Sequence, residues 1–131
     1  MKRRQLEWVV NTLSTWLTMA LLALPLSAAA ETYLLMAEEV GCAWCARWNE
    51  EISHIYPKTA EGQAAPLHRY DLHDESPDVE FAQRVRFTPT FILVEDGVEV
   101  GRIEGYPGED FFWGLLTMML ERAGVPLEST G

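Results

Sequence analysis

Cys42 and Cys45 are the only cysteines in a chain of 131 residues, and Ala43 and Trp44 separate them. Two thiols at this spacing can close a disulfide with each other. A bridge around so short a loop removes little chain entropy, so it is a poor structural staple. Disulfide-scaffold proteins carry more cysteines, spread more widely. The pair is better explained by chemistry, namely exchange between thiols and a disulfide. The apolar pattern turns helical at Cys42, which places that thiol at a helix start. There the dipole and free amides favour a thiolate. A thiolate attacks a substrate disulfide and leaves Cys42 joined to the substrate. Cys45, one turn further in, attacks that mixed bond and closes the Cys42–Cys45 disulfide.

Zinc can use the same Cys spacing, but it wants four ligands. The candidates are His54, His68 and His73, none of which pairs with another at ligand spacing. There is no second Cys pair. No metal and no separate cofactor is therefore expected; the redox group is the dithiol itself.

Other residues gain meaning from that site. Thr88-Pro89 lies about forty residues past the cysteines, just before a strongly apolar run. A cis bond there would let Thr88 offer its backbone to an extended substrate, whereas a trans proline is an ordinary strand entrance. The sequence does not choose between them. Trp44, between the thiols, is expected to be exposed and to touch substrate. Trp48, at helical spacing from Ile52, is expected in the core. Glu38 and Glu39 precede the pair. Close to Cys42 they would oppose thiolate formation; the favoured reading is that they are solvated loop charges.

The elements that must position these residues follow from periodicity. Thr32–Ala37 reads as a buried strand and Cys42–Ile55 as an amphipathic helix stopped by Pro57. Residues 58–66 read as a polar loop and Leu67–Leu72 as a second strand. Asp78–Val85 reads as a short helix. Phe91–Val94 and Val98–Ile103 read as strands joined at Asp96-Gly97, a strong hairpin signal. Glu109–Arg122 reads as a final helix, with acids first and Arg122 last. Its Phe111, Phe112, Trp113, Leu115, Leu116 and Met119 exceed a single stripe; most are expected in the core, with a partner-binding patch as the alternative. The order β-α-β-α-β-β-α fits an α/β fold around one four-stranded mixed sheet with flanking helices.

The N-terminus has the layout of a secretory signal peptide. Lys2, Arg3 and Arg4 come first, then a nearly uncharged stretch to Ala30, with Pro25 and Ala28–Ala30 at its end. Residues 1–30 are expected to be cleaved, leaving a domain over 31–131; an uncleaved membrane anchor is the alternative. Either outcome puts the domain outside the cytoplasm. The formal net charge is −10. An acidic chain repels phosphate backbones, so nucleic acid is excluded as a partner.

These residues carry a family resemblance. Gly41 to Cys45 after a strand, Thr88-Pro89 before the central strand, and Asp96-Gly97 followed by Gly105 resemble the thioredoxin superfamily over about 32–124. More narrowly, the stretches Cys45–Ile52, Tyr56–Gly62 and Arg102–Trp113 look like the periplasmic thioredoxins associated with bacterial sulfur (thiosulfate) oxidation. The resemblance implies that Cys42 is the nucleophile, Cys45 the resolving thiol, and Pro89 a cis-proline facing them, with Thr88 before it. It implies a reductase that keeps a thiol of a sulfur-oxidation carrier protein reduced, fed by a membrane thiol transporter. Two departures stand out. Thioredoxins carry a buried Asp in the strand before the pair, where this chain has Leu34, Leu35 and Met36. Ala43-Trp44 also replaces the Gly-Pro of cytoplasmic thioredoxins. Two other functions compete: a redox-sensing module that docks through Trp44 and the last helix without turnover, and a disulfide isomerase. An isomerase calls for a dimer, and this chain has no spare dimerisation domain; a monomer is expected.

Overall fold

The computed structural model describes residues 30–128. The segment read as a leader or anchor lies, but for Ala30, outside the described residues. Among those described, no helix is long and apolar enough to cross a membrane.

Strand β1 (Thr32–Glu38) is the strand the apolar run predicted. It lies between β2 (Leu67–Asp71), to which it is parallel, and β3 (Thr90–Glu95), to which it is antiparallel. Its register sets Leu34 opposite Leu67 on one side and Leu93 on the other. Strand β4 (Val98–Glu104) returns antiparallel to β3, giving the order β2-β1-β3-β4. Both central strands are covered on two faces, which is why they read as unbroken apolar runs. The hairpin turns at Asp96 and Gly97, with φ of 49° and 79°; both central residues must sit left-handed in this type of turn, as Asp-Gly allows.

Alternate residues of the central strands feed two cores. Leu34, Met36, Phe91 and Leu93 pack with Trp48, Ile52, Tyr56, Phe112 and Leu116. Leu35, Ala37, Ile92 and Val94 form the second core, with Val85 and the partly buried Val79 and Phe81. Helix α1 (Ala43–Trp48) runs on into a π-helical turn at Asn49–Ser53. Helix α3 (Glu109–Arg122) buries Phe112, Leu116, Met119 and Leu120. Phe111, Leu115 and Met118 face solvent, so the aromatic-rich helix is core on one stripe only.

Two elements differ from the sequence reading. A 3-10 turn at Tyr56–Lys58 leads into the stretch read as a polar loop, which itself contains a short helix, α2 (Ala60–Ala64). Thr59 caps α2: its Oγ1 accepts the Gly62 N–H at 3.0 Å. The helix expected over Asp78–Val85 is absent. That segment runs extended along the outer side of β4. The Glu80 N–H donates to the Gly97 carbonyl, and the Glu80 carbonyl accepts from Glu99. The Glu99 carboxylate takes the Ala82 N–H, and Arg102 reaches the Gln83 carbonyl, both at 2.8 Å. Eight residues make a marginal helix, and these fixed partners outweigh it, while Val79, Phe81 and Val85 still reach the second core.

Candidate active site

Cys42 is the N-cap of α1, with extended backbone angles, and a disulfide joins it to Cys45. The chain reaches it through a turn in which the Cys42 N–H donates to the Glu39 carbonyl at 3.3 Å. Gly41 holds the left-handed position of that turn, φ 83°, where a side chain is strained. The two sulfurs differ in access. Cys45 is buried in the first core, whereas Cys42 is partly exposed. The Cys45 N–H donates to Cys42 Sγ at 3.1 Å. In the reduced protein, an amide aimed at that sulfur favours a thiolate there. Of the two sulfurs, Cys42 is the one open to the outside and Cys45 the one sealed within the core.

Trp48, one turn beyond Cys45, is fully buried. Its ring meets Phe91 and Phe112 at 5.2 and 5.7 Å. This packing fixes the helix that carries both cysteines. Trp44 stands half-exposed, as its position between the thiols predicted, with the Arg47 guanidinium 5.7 Å from its ring.

The Thr88–Pro89 peptide is cis. Pro89 is buried, and its carbonyl accepts the Gly105 N–H at 2.7 Å. Among the described residues, the Thr88 N–H and C=O have no backbone partner.

Glu38 and Glu39 are not the loose loop charges that the sequence suggested. Glu38 closes β1 and pairs with Arg69 at 2.7 Å. Arg69 also bonds Asn49 and lies over the Trp48 ring. Glu39 accepts the Thr88 hydroxyl at 2.6 Å through one oxygen and meets His73 Nε2 at 2.8 Å through the other. The Thr88 and His73 hydrogen bonds hold its carboxyl below the ordinary glutamate range. Glu39 thus connects the cysteine turn to the cis-proline corner. Sequence reasoning missed this, because 49 residues separate Glu39 from Thr88 and no periodicity reports such a contact.

Among the described residues, no carboxylate lies under the pair: Leu34 and Met36 fill that side of β1 and are fully buried. Among the described residues, no three His, Cys, Asp or Glu side chains converge to hold a metal. His68 stacks on Tyr33, away from His73 on Glu39.

The chain belongs to the thioredoxin-like family, whose model, described as a thioredoxin-like domain, matches residues 26–119. With its cysteine pair at the start of α1, it is a thiol–disulfide oxidoreductase. It is similar to the periplasmic thioredoxin SoxS from Paracoccus pantotrophus, solved in the reduced form. The two share 52% identity with a TM-score of 0.69, over 71% of this chain and 99% of that one. No curated protein matches the chain.

Proposed function

We propose that this protein is an exported thiol–disulfide reductase acting on a disulfide or mixed disulfide of a periplasmic protein. Cys42 is the nucleophile and Cys45 the resolving thiol. The Cys42 thiolate attacks one substrate sulfur, forms a mixed disulfide and releases the other as a thiolate. Cys45, after losing its proton, attacks Cys42 Sγ and expels the second substrate thiolate. Two electrons pass to the substrate, two protons are taken up by its sulfurs, and the domain is left oxidised. Thr88 and Pro89 receive the substrate chain: the unpartnered Thr88 backbone suits an extended segment. Trp44 supplies an exposed aromatic face beside the sulfurs.

The observation that carries this reading is the unequal access of the two sulfurs at the start of α1. Likeness to a periplasmic thioredoxin and the leader-like residues 1–30 support export. Sulfur-oxidation carrier protein as substrate, a membrane thiol transporter as electron donor, and a monomeric domain over 31–131 complete the proposal. Without a carboxylate beneath the pair, solvent at the exposed Cys42 side is the route for protons.

The test is exchange with a model disulfide, followed by trapping. Cys42→Ser abolishes reduction, and Cys45→Ser accumulates a mixed disulfide whose partner is then identified from the periplasm. Full activity of Cys42→Ser would overturn the mechanism. A broad set of exported proteins on Cys45→Ser would remove the sulfur-oxidation setting. Stoichiometric binding without turnover would favour a sensor.

A further inference from the structure

We propose that Glu39 is a positioning residue that holds the Thr88–Pro89 corner in register with Cys42, so that an extended disulfide-bearing chain meets both together. The proposal rests on the reductase reading above. One residue reaches three segments. The Glu39 carbonyl takes the Cys42 N–H at 3.3 Å. Its Oε1 takes the Thr88 hydroxyl at 2.6 Å, and its Oε2 meets His73 Nε2 at 2.8 Å. On the far side, the Gly105 N–H fixes the Pro89 carbonyl at 2.7 Å. The corner is thus gripped by Gly105, just past the end of β4, and from the cysteine turn by Glu39.

The direction of the hydrogen bond matters. An ionised carboxylate has no proton to give, so the Thr88 hydroxyl donates and keeps only acceptor capacity for anything else. Its rotamer is thereby set, and with it the placement of the backbone groups that pair with the incoming chain. His73 occupies the second oxygen and keeps the carboxylate from swinging to solvent. The side chain of His73 is itself largely exposed, so it steadies Glu39 without burying it. A binding site built on two loops needs such a hold, because an extended chain pairs with Thr88 and meets Cys42 together only while the two loops keep their register.

The test compares Glu39→Ala, Glu39→Gln and Thr88→Val, alone and combined, with two readouts. The first is kcat and KM for reduction of an extended peptide disulfide. The second is the pH profile of Cys42 alkylation by iodoacetamide in the reduced protein. Glu39→Ala raises KM about tenfold, the order that one hydrogen bond to an ionised group commands, with kcat nearly unchanged. Glu39→Gln, whose amide oxygen still accepts from Thr88, restores KM. Thr88→Val matches Glu39→Ala, and the double variant is no worse than either, since both break the same bond. The alkylation profile stays in place throughout.

An unchanged KM in Glu39→Ala overturns the proposal. So does a Glu39→Gln variant that behaves as Glu39→Ala while its alkylation profile shifts, because the charge would then act on Cys42 directly. Should Glu39→Ala fail to fold, Thr88→Ser against Thr88→Val asks the same question: the hydroxyl retains KM and its loss does not. Failure of the reductase reading is separately visible as absent reduction by the wild type. The KM ratios are then read in the oxidising direction, where the same hold predicts the same tenfold.

Discussion

Trp48 offers a sharp test of how the cysteine-bearing helix is anchored. Its side chain is fully buried, and its indole Nε1 has no hydrogen-bond partner among the described residues. Trp48→Phe removes two ring carbons and that N–H. At about 0.8 kcal/mol per buried carbon, the lost burial costs about 1.5–2 kcal/mol. Relieving an unpaired buried donor returns about 1–3 kcal/mol. The two effects nearly cancel, so Trp48→Phe falls between a loss of about 1 kcal/mol and a gain of about 1.5 kcal/mol. Trp48→Ala has no such compensation. It empties the space between Phe91, Phe112 and Tyr56 and costs about 3–5 kcal/mol, a large share of the ~5–15 kcal/mol that holds a small domain together. Equilibrium urea unfolding of the oxidised protein measures both. In thermal melts the Ala variant falls by about 12 °C or more, at ~4–8 °C per kcal/mol. A loss of about 3 kcal/mol or more in Trp48→Phe refutes the reasoning, because the indole N–H would then be satisfied.

Two further outcomes follow from local geometry. A Cβ on Gly62 would lie 1.8 Å from the Tyr56 carbonyl oxygen, which already accepts from Thr59 N and Oγ1. Gly62→Ala therefore costs about 2 kcal/mol or more through overpacking, despite the better helix propensity of alanine, and an unshifted melting temperature contradicts this. Glu51 accepts from Tyr106 and Arg47, which hold its carboxyl below the ordinary 4.5 of a glutamate. A lowered folded-state pKa gives stability that is present above about pH 4.5 and lost as pH falls through the folded value. Glu51→Gln flattens that acid-side loss in urea midpoints taken at descending pH; parallel slopes would exclude the role.

What the sequence made legible was local. The cysteine pair, the helix it opens, the core positions of Trp48 and Ile52 and the Asp96-Gly97 turn all announce themselves within a few residues. Pro89 was visible, but its isomer was not, because the choice depends on distant packing and on the Gly105 N–H. The Glu39–Thr88 bond joins loops with no common pattern. Asp78–Val85 was misread because apolar residues at helical spacing also suit an extended strap with β4 and the second core beneath it. Thr59 was a readable cap that went unread within a polar stretch.

That strap has a consequence beyond the fold. An outermost strand normally exposes a row of unpaired N–H and C=O groups, a template on which another chain can add and start an aggregate. On β4, Glu80 occupies the groups near the hairpin, and Arg102 and Glu99 are committed to their own ion pair and to the strap. The opposite border, β2, is only five residues long, with His68 and Arg69 exposed. If the cis-proline corner takes extended chains as proposed, the same protein has few free groups along its flanks on which to zip onto them.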